Sequence, residues 1–374
     1  MQTPAASRTW GTPPWRIDFA PLEAPVPAKV DFAIVGAGFT GLASAAWLRR
    51  LAPDKSVAVL EASTIGAGAS GRTGGMVLAE TAAGEVEGLG DALAGLRDIF
   101  AKLEVDGDIA LPGAYEIARS TGAKHFPIDW SDSGRLRVVN EVPGGTLDPG
   151  KVVSGLARAA QRLGAGIFEN QPVVKIDWRE RPVLRVTRGE IEAGAILFAT
   201  NGLSTDMSGL DEAEPRLTLA ILSEPLSEGQ LEAIGLAERK PFYTVDFPYL
   251  WGRVRGDNSV IWGAGLVAAP GSRDLESVAI TAAEPARLLD SLEARVRGLH
   301  RELSAVKFTH RWGGPILFRE SWLPVFDRHP QSENAIVLGA FAGHGVALSS
   351  YLGAWAAEAL LGRRELPSWG RLEG

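Results

Sequence analysis

An α/β fold is predicted by three features of the chain. A glycine turn links an apolar strand to a helix near residue 36. A second glycine turn precedes a small-residue helix near residue 345. The stretch between them is rich in strands and aromatic residues. Together they suggest a Rossmann-like dinucleotide-binding domain with an interleaved, mainly antiparallel substrate domain. At 374 residues the chain exceeds one small core, which fits two domains.

Residues 1–27 are rich in proline and read as an irregular extension running over the surface. Trp10 and Trp15 either pin it there or reach a partner subunit. The apolar run Phe32–Val35 then reads as a buried parallel strand, and Gly41–Arg50 has helical spacing through Leu42, Ala45, Ala46 and Leu48. Between them Gly36, Gly38 and Gly41 complete a G-x-G-x-x-G, with Phe39 and Thr40 inside it. Gly36 permits the tight turn, Gly38 lets the backbone approach a pyrophosphate, and Gly41 lets helix and strand pack closely. The helix N-terminus faces the negative charge. Glu61, followed by Ala62, closes the next apolar run 20 residues after Gly41. A carboxylate there accepts hydrogen bonds from an adenosine ribose and argues against a 2′-phosphate. The motif does not by itself separate NAD from FAD.

Residues 62–80 hold Gly66, Gly68, Ala69, Ser70, Gly71, Arg72, Thr73, Gly74, Gly75 and Met76. Apolar elements bracket the segment, so it reads as a loop moulded against a large flat ligand rather than as a linker. Helical spacing spans 84–104, and strands and turns fill 114–140. Asp148-Pro149 opens a helix over Val152–Leu163. Strand patterns lead to the turn Ala199-Thr200-Asn201-Gly202. Residues 216–266 are strand-like, 284–303 form an amphipathic helix and 305–317 a strand. Finally Ile336–Leu338 leads through Gly339, Gly343, His344 and Gly345 into a helix carrying Val346, Ala347, Leu348 and Leu352. The expected division is 28–90, 142–215 and 320–365 for the cofactor-binding domain, with 91–141 and 216–319 forming the substrate domain.

Bulk properties narrow the function. Net charge is -7 without a basic run, which argues against nucleic acid as a partner. Cysteine is absent, which removes disulfides, thiolate catalysis and thiolate metal sites. The five histidines are scattered without metal-ligand spacing. No apolar run is long enough for a transmembrane helix, and the N-terminus lacks a signal-peptide core. A cytoplasmic location is the expectation, and the oligomeric state is left open.

These motifs, taken together, resemble the D-amino-acid-oxidase-like family of FAD enzymes, which includes glycine, sarcosine and γ-glutamylputrescine oxidases. VGAGFTGLASA with Glu61 is similar to the family's FAD fingerprint, and ASGRTGG (69–75) to its loop beside the isoalloxazine. PVVKI (172–176) resembles the strand in which Val173 reaches the adenine through its backbone, and ATNG (199–202) the third cofactor strand. GHGVALSS is close to the motif that places backbone N–H groups of residues 343–347 near the flavin pyrimidine edge. Trp312 and Gly314 match the family's W-x-G.

The resemblance implies noncovalent FAD, since there is no cysteine and no histidine precedes His125. It implies oxidation of the C–N bond of a small amine or amino acid by hydride transfer to flavin N5, with O₂ or another acceptor as oxidant. A dehydrogenase of amines or 2-hydroxy acids, or a catalytically silent flavin-binding subunit, are the alternatives. Two departures stand out. Ile316 and Leu317 occupy the place where amino-acid-oxidising relatives carry a carboxylate-clamping arginine, and Phe326 follows Pro324-Val325 where relatives read P-x-Ile-Gly. Substrate contacts are therefore expected from Tyr249, Arg253, His310 and Arg311. Arg72 faces either the cofactor or solvent.

Overall fold

The computed structural model describes residues 9–119, 127–269 and 275–372, so His125 lies outside the described residues. The chain begins with β1 (Lys29–Val35), α1 (Phe39–Leu51) and β2 (Val57–Leu60), in the order the glycine turn predicts. The glycine loop leads to β3 (Met76–Leu78) and α2 (Ala92–Leu103). β4 (Ala114–Arg119), β5 (Asp129–Ser131) and β6 (Arg135–Val142) follow, and β7 (Gly144–Thr146) returns to pair with β3. Next come α3 (Pro149–Arg162), β8 (Gly166–Phe168), β9 (Lys175–Asp177), β10 (Val183–Val186) and β11 (Gly189–Phe198). After α4 (Thr205–Ser208), the run β12 (Glu214–Ser223), α5 (Glu228–Ala233), β13 (Phe242–Thr244), β14 (Trp251–Val254) and β15 (Val260–Ala268) leads to α6 (Ala283–Leu299). The chain closes with β16 (Phe308–Phe318), β17 (Val325–His329), β18 (Ser332–Gly339) and α7 (Gly345–Leu360).

One sheet has the order β17-β18-β11-β1-β2-β8. Its centre is parallel: β1 pairs with β2 and β11, β2 with β8, and β11 with β18. This is the Rossmann-like part. Alternation along β1 divides its side chains between two cores. Ile34 packs with Leu42, Ala45 and Ala46 of α1 and Leu348 and Leu352 of α7. Ala33 and Val35 pack with Leu60, Phe198 and Val337. α1 and α7 approach closely because Gly353 has no side chain. Its carbonyl accepts from the Ser44 hydroxyl at 2.7 Å, and a Cβ there would lie 2.7 Å from the Thr40 carbonyl oxygen.

The other large sheet runs β16-β12-β15-β14-β13-β4-β6-β5. It is antiparallel apart from the β13–β4 pair. The apolar side of α6, through Leu289, Leu292 and Val296, joins Leu217, Leu219 and Trp262 in its core. Among the described residues, no helix is long and apolar enough to cross a membrane.

Several expectations need correction. Only 92–103 of the 84–104 segment is helical, because the Asp91 side chain caps Ala94 N–H and Gly88 and Gly90 before it take positive φ. The strand-like stretch 216–266 contains α5, which starts with a capping box formed by Ser227 and Gln230. The N-terminal extension is irregular and largely exposed, as expected, and its two tryptophans pin it to the protein. Trp10 is fully buried and Trp15 nearly so, and Gly11 bridges to Trp312. Phe326 is buried in the helix-side core, with its ring edge-on to Trp355.

Candidate functional site

The two glycine turns meet at one cavity of about 1740 Å³. This is larger than the ~300–1,000 Å³ usual for one small ligand, so a cofactor and a substrate both have room. Gly36 takes φ +104°, and a Cβ there would meet the Ala199 carbonyl oxygen at 2.7 Å. At Gly41 a Cβ would come within 2.0 Å of the Gly36 carbonyl oxygen. Glycine is thus required at both positions by backbone contact. Gly38 is the N-cap of α1 and offers no side-chain cap, so the helix start is left open to the cavity lined by Gly36, Gly38, Phe39 and Thr40.

Glu61 is buried beside this turn. One carboxylate oxygen accepts from Ala37 N–H and the other from Ser63 N–H, both at 2.9 Å. The residue lines the cavity with Ala62 and Val173. The loop supplies Gly68, Ala69, Ser70, Arg72, Thr73, Gly74 and Met76 to the wall. Ser70 Oγ accepts from Phe39 N–H at 2.9 Å, tying the loop to the start of α1.

The C-terminal turn joins the same cavity through Gly343, His344, Gly345 and Val346, opposite Ala199, Thr200, Asn201 and Gly202. Asn201 Oδ1 accepts from Ala340 N–H at 3.0 Å, which locks these two turns together. Burial pushes the His344 imidazole below its usual pKa, against an opposing backbone contact at Ala342. Burial thus disfavours a charged imidazole beside the start of α7.

Two hydroxyls on the cavity wall, Thr200 Oγ1 and Ser349 Oγ, are buried without a hydrogen-bond partner among the described residues. The open helix starts and the buried carboxylate fit a dinucleotide. Four expected cofactor residues stand behind the wall rather than in it. Gly41 and Gly339 serve close backbone approach, Gly75 takes φ +73° against the Leu147 carbonyl, and Ala347 is buried in the helix core.

The same chamber is also lined by Glu80, Glu116, Thr218, Tyr243, Tyr249, Trp251, Arg295 and Ile316, beside Trp312 and Gly314. The Tyr243 hydroxyl donates to Glu116 at 2.7 Å, and the Asn140 amide donates to its other oxygen at 2.9 Å. Burial raises the Glu80 pKa, with Glu116 and Glu85 adding like charge. Among the described residues the arginines on the wall are Arg72 and Arg295. Arg295 is committed to Asp132 and to the carbonyls of Pro248 and Tyr249. Arg72 donates to the carbonyls of Gly11 and Gly313. It is half-buried on the cavity wall, where these bonds brace the protein.

Of the expected substrate contacts, Tyr249 lines this chamber and three do not. Arg253 is buried behind the glycine loop, donating to the Gly74 carbonyl, and burial pulls its pKa down to about 10. Arg311 points to α6, where it pairs with Asp290 and Glu293 at 2.8 and 2.7 Å. His310, beside it on β16, contacts Thr309. Alternation along β16 turns Arg311 to the face opposite Trp312 and Gly314, while His310 shares their face but lies beyond the cavity wall. Glu80, Glu116, Tyr243 and Arg295 were missed by sequence reasoning. They sit in ordinary strands, loops and a helix with no motif to mark them.

Comparison with known proteins agrees with this geometry. The family model described as DAO, FAD dependent oxidoreductase, matches residues 31–359. The chain is 27% identical to gamma-glutamylputrescine oxidoreductase of Escherichia coli K12, over 90% of this chain and 84% of that one. Among solved structures it is similar to glycine oxidase from Geobacillus kaustophilus, with TM-score 0.70 at 19% identity, covering 91% of this chain and 96% of that one. It is also similar to L-proline dehydrogenase from P. horikoshii, with TM-score 0.68 at 17% identity and the same coverage, 91% and 96%.

Proposed function

Because this chain belongs to the DAO family of FAD-dependent oxidoreductases, we propose that it oxidises the C–N bond of a small amine, using O₂ as the final acceptor. The observation that carries the substrate class is the charge of the cavity wall around Tyr243 and Trp251. It presents Glu80 and Glu116, while both arginines on the wall are already committed. An α-carboxylate finds no open guanidinium there and meets like charge. An ammonium finds two carboxylates and the faces of Tyr249 and Trp251. Amines are favoured over amino acids, which extends the reading of Ile316 and Leu317 in place of a clamp.

FAD, when bound, supplies the acceptor for the hydride equivalent that leaves the carbon next to nitrogen. The protein's share is position and field. The start of α1 and Gly36–Thr40 suit the pyrophosphate, Glu61 the ribose, and Val173 the adenine. The start of α7 with Gly343–Val346 suits the end of the cofactor that gains negative charge on reduction. Tyr243 orients the Glu116 carboxylate, and Trp251 with Tyr249 keeps water from the reacting carbon. The same reading assigns 28–90, 142–215 and 320–365 to cofactor binding, and 91–141 and 216–319 to the substrate side.

The test is anaerobic titration of the purified, flavin-loaded protein with primary and secondary amines, α-amino acids and 2-hydroxy acids, following the visible flavin band. Amines should bleach it at the lowest concentrations. Bleaching by 2-hydroxy acids alone, or by no amine in a broad panel, would overturn the proposal. Peroxide formation in air decides the acceptor: rapid dye reduction without peroxide would make the protein a dehydrogenase.

A further inference from the structure

We infer that the N-terminal segment around Trp10–Trp15, which lies outside the span 31–359 matched by the family model, is part of the cofactor site. Trp15 is the positioning residue that braces Trp312 and the glycine loop, so that the Thr73 N–H is aimed at FAD. This rests on FAD being the cofactor.

The loop's carbonyls are held on its far side by three buried donors. Trp15 Nε1 donates to the Gly71 carbonyl at 2.8 Å, Trp312 Nε1 to that of Arg72 at 2.9 Å, and Arg253 Nε to that of Gly74 at 2.5 Å. A peptide unit is planar, so fixing a C=O fixes the N–H of the next residue. The Trp312 bond to the Arg72 carbonyl therefore sets the Thr73 N–H, and the Trp15 bond to the Gly71 carbonyl holds the turn just before it. Gly71 N–H and Arg72 N–H are used inside the loop, by the Gly66 and Ala69 carbonyls. The Thr73 N–H has no acceptor among the described residues, and Thr73 lines the cavity. A backbone donor without a partner at a cavity wall calls for a ligand acceptor.

The three donors also brace one another. The Trp15 and Trp312 rings meet edge-on at 5.9 Å, and the Arg253 guanidinium lies 5.8 Å from the Trp15 ring centre. The segment is anchored beyond them. Trp10 Nε1 donates to the Leu275 carbonyl at 3.0 Å, Gly313 N–H donates to the Trp10 carbonyl at 2.7 Å, and Asp18 N–H donates to Ser154 Oγ at 2.8 Å. Arg72 clips the segment to β16 through the carbonyls of Gly11 and Gly313, at 2.9 and 3.0 Å.

The experiment compares Trp15→Phe with Trp130→Phe, in protein whose wild-type form has first been shown to hold FAD. Trp130 makes the same kind of bond, to the Ile234 carbonyl at 2.9 Å, in the core of the antiparallel sheet. Loss of one hydrogen bond that orients the loop should weaken FAD binding about two- to tenfold in Trp15→Phe and alter the visible circular dichroism of the bound flavin. Trp130→Phe should lower thermal stability and leave both flavin readings unchanged. Trp312→Phe, which frees the Arg72 carbonyl, should shift the flavin signal as Trp15→Phe does, and serves if that variant folds poorly. Unchanged FAD affinity and dichroism in both loop variants, or an equal change in Trp130→Phe, would overturn the inference. A wild-type protein unable to bind FAD would instead reject the functional proposal.

Discussion

Gly38 shows how one residue decides whether a ligand can approach. A Cβ there would stand 2.7 Å from Ser70 Oγ, and larger side chains would fill the open start of α1. Gly38→Val should therefore give folded protein that is colourless after purification, a loss of FAD affinity of roughly a hundredfold or more. Yellow, fully loaded protein would show that the turn does not receive the cofactor. Glu80 gives a prediction in pH. Burial and two neighbouring carboxylates raise its native-state pKa above the ordinary 4.5. Between the ordinary and the raised value the native state binds the proton that the unfolded chain has released. Its contribution to stability is thus fully present at low pH and is lost as pH rises through the raised value. Glu80→Gln should match the wild type in urea denaturation at pH 4 and exceed it at pH 8, while its apparent KM for amines rises. The glycines and Glu61 were legible in the sequence because their roles are set by backbone geometry at fixed spacing. The placements of Arg253 and Arg311 were not. A guanidinium reaches far enough that its partner depends on which other element lies within range.

Among the elements, α1 and α7 carry the most information. Both start at glycine turns and both point their N-termini into one cavity, and their contact depends on Gly353. Gly353→Val would force a side chain against the Thr40 carbonyl oxygen. It should cost about 1–3 kcal/mol in urea denaturation and disturb flavin binding at both turns. A variant as stable as the wild type would mean that the helices can separate without loss. Helix α3 was legible from Asp148-Pro149, because the cap is encoded locally: Asp148 accepts from Lys151 N–H. Helix α5 was hidden inside an aromatic, strand-like stretch, since six residues carry too little periodicity to read. Residues 84–91 carry the spacing of a helix, yet their glycines take positive φ and form turns instead.

At the scale of the molecule, the cavity is made by segments far apart in sequence. β1–α1, the glycine loop, the end of β11, the middle of β16 and the start of α7 all contribute, with Glu116 and Tyr243 from the other sheet. Bound FAD should accordingly hold both sheets in place. At a hundredfold excess over its Kd, FAD should add about 2.7 kcal/mol to the unfolding free energy. Thermal denaturation of loaded and stripped protein checks this, and equal midpoints would contradict it. The sequence by itself determined the cofactor half of this protein. A strand, a glycine turn, a helix and an acidic strand end act through backbone contacts whose spacing is written along the chain. Only the tertiary structure decided the substrate half and the brace behind the loop. Those depend on which side chains from distant strands, and from the N-terminal segment, are brought to the same place. Period and composition carry no record of such partners.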